Sequence, residues 1–480
     1  METELSLTTI LKENYGFDEF RPGQEEVISN SLSGLDTLAV LPTGSGKSLI
    51  YQFVSDESTG QTLIISPLIS LMADQVAQLR GKGEKSIVAL NSQLSFNEKK
   101  FVIGRLSEFK YIFMSPEMLN KPEVLKKLIS CQISLFVVDE AHCISQWGND
   151  FRPDYLQLKH ILQELGYPKV MALTATAAED VIEDIKQQIF SFRDVASTIL
   201  SVDRPNIYYS VRNVESKIDY LIDFIRDYQT TGIIYFSSKK EADRIAEILN
   251  QHTEQQVAAY HGGMTNEERF VIQQQFIRGD IAILCATNAF GMGVNKTDIR
   301  FVIHYHLPDS LENYAQEVGR AGRDGQQSIA VLLYDEGDER IHQFLQEDSY
   351  QQKADLLFLK DKKSAELKKL LPILTDFQLK WYQLLIKSDW DWEKFSNQIE
   401  VRRQQQQFRL FDIKDFVKST HCRRGELLHY FNQDPPENLN QTTCCDNCYH
   451  TFPKIRKNEN VTYNHRLVSY KDIVKKLFLL

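Results

Sequence analysis

Residues Thr43-Gly44-Ser45-Gly46-Lys47-Ser48 interrupt a short apolar run, Leu38–Leu41, that resumes at Leu49. A strand that ends in glycines and opens a helix leaves backbone N–H groups converging at the positive end of the helix dipole. Such a point suits a polyphosphate. Gly44 and Gly46 let the backbone come close and take positive φ. The pattern predicts Thr43, Gly44, Ser45 and Gly46 as the cradle, Lys47 on the β- and γ-phosphates, and the Ser48 hydroxyl on Mg²⁺. It departs from the full G-x-x-x-x-G-K-[ST] form, because Leu41 holds the first glycine position. A glycine turn that only joins strand to helix is the alternative.

A second constellation, LFVVDEAH (135–142), places two carboxylates after an apolar strand, at the end where open α/β sheets bind ligands. Asp139 is expected to hold Mg²⁺, and Glu140 to orient and deprotonate an attacking water. One acidic pair at a strand end is usually only solvated. Joined to a phosphate loop on the same sheet, it points to hydrolysis of a nucleoside triphosphate.

These groups need a scaffold. Apolar runs at 37–41, 62–66, 111–115, 135–139 and 170–174 alternate with helical patterns such as LISLMADQVAQL (68–79), the rhythm of a parallel sheet with helices on both faces. After Asp203-Arg204-Pro205-Asn206 the rhythm restarts, with runs at 232–236, 257–260, 281–285, 301–305 and 329–334. From about 345 the alternation gives way to long stretches such as 363–386, which read as helices, and Gln404–Gln407 reads as a solvated helix face or loop. The expected organisation is an α/β domain over 1–202, a second over 203–344, a helical domain over 345–452 and a basic tail over 453–480.

Further blocks narrow the reading: GFDEFRPGQEEVI (16–28), SPLISLMADQV (66–76), ALTATA (172–177), YHGGM (260–264), CATNAFGMGVNKTDIRFVIH (285–304) and QEVGRAGRDG (316–325). With PTGSGKS and DEAH they stand in the order of superfamily-two helicases across nearly all of 15–335. CISQWGNDFRPDY (143–155) follows DEAH directly, and with it the chain resembles the RecQ family of DNA helicases.

That resemblance implies two tandem RecA-like domains and a small helical zinc-binding domain. It implies Phe17 and Arg21 around the adenine with Gln24 on its edge, and Gln316, Arg320 and Arg323 facing the nucleotide from the second domain, Arg323 as the arginine finger. Phe20 is expected in the core. The loop Ser145–Tyr155, with Gln146, Trp147, Phe151, Arg152 and Tyr155, is expected to couple hydrolysis to DNA, since aromatics stack on bases irrespective of sequence. Asn149 stands where the family commonly has histidine. A packed loop with Trp147 in the core is the alternative.

Cys422, Cys444, Cys445 and Cys448 resemble the family's zinc ligands, with His421 or His450 as alternatives to Cys444, whose thiol abuts Cys445. Cys131, Cys143 and Cys285 lie in apolar surroundings as core thiols. Larger relatives continue into a winged-helix domain and a small helical domain. Residues 449–480 are too few for a winged helix, so a short form is expected and duplex specificity is in question.

The chain of 480 residues is 42 % apolar and 25 % charged, which suits several folded domains. A net charge of −10 neither favours nor excludes a nucleic-acid partner, because a local basic groove suffices. No apolar run reaches the roughly 18 residues that span a bilayer, and METELSLTTILKEN lacks the pattern of a secretory signal. The expectation is a cytoplasmic monomer, nucleoid-associated in a bacterium, using ATP, Mg²⁺ and structural Zn²⁺. Its implied partners are single-stranded and tailed duplex DNA, with 3′-to-5′ movement in repair or recombination. The rivals are an RNA-remodelling ATPase of the same superfamily and an ATP-switched DNA-binding or strand-annealing protein.

Overall fold

The structure, a computed structural model, describes residues 6–145, 153–191, 193–291, 296–387, 391–437 and 440–455. The chain forms two compact units: residues 1–202 with 344–408, and residues 203–343 with 409–480. The helical region expected as one domain over 345–452 is therefore shared between the two units.

The first unit holds strands β1 (Asp36–Val40), β2 (Gln61–Ile65), β3 (Ile87–Leu90), β4 (Tyr111–Met114), β5 (Ile133–Asp139), β6 (Lys169–Thr174) and β7 (Val195–Ile199). They pair in parallel in the order β3-β4-β2-β5-β6-β1-β7. Side chains alternate between two cores. Leu38, Val40, Phe136 and Val138 face one layer of helices. Ala39, Leu135, Val137 and Met171 face the other, with Ile50 and Phe53 of helix Lys47–Asp56. A sheet covered on both faces explains why its strands read as unbroken apolar runs.

The helical segment of this unit has its own core of Leu356, Leu359, Trp381, Tyr382, Leu385, Phe395 and Ile399. The stretch read as helical over 363–386 is two helices, Ser364–Leu370 and Asp376–Lys387, separated at Pro372, which has no N–H to continue the ladder. Gln404–Gln407 lie within helix Trp392–Lys418.

The second unit holds β8 (Ile207–Arg212), β9 (Gly232–Tyr235), β10 (Val257–Tyr260), β11 (Ile283–Ala286), β12 (Phe301–His304) and β13 (Ser328–Leu333), parallel in the order β10-β11-β9-β12-β13-β8. Its core includes Tyr208, Ile234, Ile283, Phe301 and Val331. Strand β8 lies at one edge, where the cysteine-bearing segment covers it: Tyr209 N–H donates to Cys444 O at 3.1 Å and Asp446 N–H to Tyr209 O at 2.9 Å. Covering an edge in this way removes a template for unwanted strand pairing. Among the described residues no helix is long and apolar enough to cross a membrane.

Candidate active site

Strands β2, β5, β6 and β1 are consecutive neighbours in the first sheet, so the segments leaving their carboxyl ends line one rim. The glycine loop leaves β1, Thr174 ends β6 opposite Val40, and Asp139 ends β5 opposite Leu173. Ser66 follows Ile65, which lies opposite Val138.

Gly44 and Gly46 have φ of 87° and 76°, the left-handed conformation that a side chain would strain. Lys47 Nζ donates to Leu41 O at 3.1 Å and its charge offsets that of Asp139. Gln24 Oε1 accepts from Arg21 N at 2.9 Å, while Gln24 Nε2 donates to Ser45 O at 2.7 Å and Gly46 O at 3.2 Å. Arg21 Nη1 donates to Gly44 O. Two of the three residues expected at the adenine, Arg21 and Gln24, thus brace the phosphate loop itself. Phe17 is 49 % exposed, which leaves its ring open to a ligand, and Phe20 packs edge-on against Phe53 with centroids 5.6 Å apart.

Burial, then the neighbouring charge of Glu140, pushes the Asp139 carboxyl up to about 7, against the opposing pull of Lys47. Ser66 Oγ lies 3.4 Å from Asp139 Oδ2, and Glu140 N–H donates to Asp139 Oδ1 at 3.1 Å. Glu140 sits at φ 49° and is buried, and its Oε2 has no hydrogen-bond partner. His142 Nδ1 stands 3.5 Å from that oxygen but is engaged with Thr174 Oγ1 at 2.8 Å. Ser45 Oγ is likewise buried without a partner. A buried acidic pair and an orphaned hydroxyl beside a lysine fit a site built around a metal–polyphosphate.

In the second unit Gln316 is buried on helix Leu311–Val318. Arg320 is 4 % exposed and donates to Gly291 O, with its Nε unpartnered. Arg323 is half-buried in the loop that follows. Gln146, Trp147, Asn149, Phe151, Arg152 and the tail from 456 lie outside the described residues. Tyr155 corrects an expectation: its ring is fully buried and its hydroxyl donates to Asp139 O at 3.2 Å, so it anchors the end of its loop and offers no stacking face.

The sulfurs of Cys422, Cys444, Cys445 and Cys448 lie within 4.8 Å of one another. The Cys422–Cys444, Cys445–Cys448 and Cys445–Cys422 separations are 3.4, 3.5 and 3.9 Å. Four thiolates about 2.3 Å from one tetrahedral ion stand some 3.8 Å apart, so the spacing of this set suits a tetrahedral zinc. His421 is exposed and bonds Glu426 Oε1 at 3.0 Å, and His450 is exposed outside the group.

Sequence reasoning assigned no role to Thr174 beyond its motif, and it read Arg204 as part of a domain boundary. The Arg204 guanidinium donates to Gly319 O, Ala321 O and Gly322 O at 2.7, 2.9 and 2.8 Å. A charged residue before Pro205 at a linker was the one available signal.

Comparison with known proteins follows the same division. Residues 21–185 match the DEAD/DEAH box helicase model, 216–325 the helicase conserved C-terminal domain, and 380–449 the RecQ zinc-binding model. A solved structure of the Mycobacterium smegmatis helicase Lhr shares the fold with a TM-score of 0.60 at 19 % identity, over 86 % of this chain and 57 % of that one. Fold and site together define a helicase with two parallel-sheet motor domains.

Within that class, the chain is 40 % identical over 455 residues to the probable ATP-dependent DNA helicase RecS of Bacillus subtilis, covering 92 % of each. It is 37 % identical to the ATP-dependent DNA helicase RecQ of Haemophilus influenzae, over 92 % of this chain and 62 % of that one. The chain belongs to the RecQ family of ATP-dependent helicases.

Proposed function

We propose that the chain is a DNA helicase that hydrolyses ATP, moves 3′ to 5′ along single-stranded DNA and separates duplex strands in repair or recombination. The observation that carries this reading is the rim of the first sheet, where the glycine loop, the buried Asp139–Glu140 pair and Thr174 meet.

Phe17 and Arg21 hold the adenine between a ring and a guanidinium, and Gln24 bonds its edge. Lys47 and the amides of the glycine loop bind the β- and γ-phosphates. Ser48 and Asp139 would hold Mg²⁺, which when bound would supply charge neutralisation there. Glu140, its Oε2 free of other bonds, orients a water for in-line attack and takes its proton. Arg323, seconded by Arg320 and Gln316, stabilises the charge on the transferring phosphoryl group. The segment with Gln146, Trp147, Phe151 and Arg152 begins directly after the catalytic acids and carries the nucleotide state to the strand. Cys422, Cys444, Cys445 and Cys448 hold a structural Zn²⁺. The protein works as a cytoplasmic monomer, at the nucleoid in a bacterium.

Displacement of a labelled strand from 3′-tailed and 5′-tailed duplexes, with and without ATP, tests the reading. ATP-dependent displacement from the 3′-tailed duplex alone is expected. ATPase without displacement would leave an affinity switch, and stimulation by single-stranded RNA but not DNA would move the substrate to RNA.

A further inference from the structure

We infer that the cysteine cluster sets the position of the arginine loop, through a truss of two arginines, Arg424 and Arg204. The loop Gly319–Gly325 runs from helix Leu311–Val318 into β13 and carries both Arg320 and Arg323. The inference rests on the reading that these arginines meet the γ-phosphate.

The neighbourhood follows from topology. Strands β8 and β13 are parallel partners, with Ile207 opposite Ser328, so the segments entering them lie side by side. Arg204 enters β8 and forks onto three carbonyls of the loop entering β13. Those carbonyls lie at and just beyond the end of helix Leu311–Val318, where the helix leaves acceptors unpaired and the dipole favours a cation. Asn206 Nδ2 adds bonds of 2.8 Å to Gly322 O and to Gln326 O. Gly322 has φ 56°, and a Cβ there would stand 2.3 Å from Asn206 Nδ2, so the clamp closes only on glycine.

Arg204 is itself held from the other side. Arg424 is 1 % exposed, and its Nη1 donates to Arg204 O at 2.8 Å and pairs with Asp203. Its Nη2 donates to Ile207 O at 2.6 Å, and its guanidinium lies over the Tyr209 ring, 5.0 Å from the centroid. Arg424 stands in the first turn of helix Arg423–Tyr430, whose N-cap is Cys422. Arg423 fixes the same turn to the loop between the last cysteines, Nε to Asp446 Oδ1 at 3.1 Å, and Asp446 Oδ2 accepts from Val211 N at 2.8 Å.

Every link from the thiols to the Gly319 carbonyl is thus a short bond between buried or half-buried groups. Gathering four thiols fixes the first turn of that helix, and the first turn aims Arg424. A loop with three glycines has little stiffness of its own, so its ordering must come from outside. Arg204 and Arg424 are positioning residues, since neither touches the reacting atoms.

The test combines hydrogen exchange of the 319–325 amides with steady-state ATP hydrolysis, on the full zinc-loaded chain. Arg424→Gln is expected to speed exchange of these amides by about tenfold or more. It should lower kcat by about tenfold while KM for ATP moves less than about twofold, because the loop acts late in the reaction. Stripping zinc with a chelator should speed exchange of the same amides, a readout independent of turnover. His421→Ala, at an exposed residue outside the cluster, should leave both unchanged. Should Arg424→Gln fail to fold, Arg204→Lys keeps the charge, loses the fork and should loosen the same loop.

Unchanged exchange in a variant that retains its zinc would overturn the inference, whereas a loosened loop with unaltered kcat would count against the reading that its arginines meet the γ-phosphate. Arg323→Ala separates the underlying reading. If that variant hydrolyses ATP normally, the loop's catalytic role falls, while exchange in Arg424→Gln still decides whether the cysteine cluster holds the loop.

Discussion

The side-chain nitrogen of Gln24 stands 2.7 Å from the carbonyl oxygen of Ser45, so the amide proposed to read the adenine edge also braces the phosphate loop. Replacing Gln24 by Ala removes both tasks. We expect KM for ATP to rise about tenfold, with a smaller fall in kcat. Gln24→Glu should be worse, because a carboxylate would face the carbonyl oxygens of Ser45 and Gly46. Steady-state kinetics with ATP and GTP would check this, and an unchanged KM in Gln24→Ala would remove the residue from nucleotide binding.

Glu140 and Lys47 should separate binding from chemistry. Glu140→Gln keeps the shape of the buried side chain and loses the proposed base, so kcat is expected to fall by at least about a hundredfold. ATP affinity, read by fluorescence titration, should stay within about threefold. Lys47→Ala should lose affinity and turnover together without altering the melting temperature.

The four-sulfur set makes a stoichiometric claim. Released zinc, measured colorimetrically, should be about one per chain for the wild type and for His421→Ala. Cys444→Ser should hold far less, and its melting temperature should drop, since binding a structural zinc is linked to folding. Normal zinc content in Cys444→Ser would return the fourth position to a histidine.

Lys353 offers a pH-dependent prediction. It is 4 % exposed, with its amine 4.9 Å from the Trp381 ring and 5.7 Å from that of Phe377. Burial, and then the charge of Arg402, lowers its pKa from 10.5 to about 7. Because the folded value is depressed, the folded state resists protonation that the unfolded chain accepts. Stability is in full above the unfolded value and is lost as pH falls toward the folded one. Lys353→Met should therefore stabilise the protein by about 1–3 kcal/mol at pH 7 and by little near pH 10. Denaturant midpoints at the two values decide it, and equal gains at both would contradict a buried-charge cost.

Much of the architecture was legible because covered parallel strands are plain apolar runs. LFVVD, VAAY and VMALT each lie within or coincide with a strand of the fold. Strands Ile87–Leu90, Val195–Ile199 and Ile207–Arg212 escaped that reading. The last two mix serine, threonine or arginine into sheet edges, where apolar patterning weakens.

The sequence by itself determined the chemistry on offer: a phosphate-binding loop, two carboxylates, a pair of arginines and a set of thiols, all recognisable from residue type and spacing. Only the tertiary structure shows that Cys444 gathers with the other three sulfurs while His421 and His450 stay outside, that Tyr155 is an anchor, and that Arg204 clamps the arginine loop. The physical reason is distance along the chain. Motif spacing reports groups that one strand and its following turn bring together, whereas Arg424, Arg204 and Gly319 meet because two strands far apart in sequence are neighbours in one sheet.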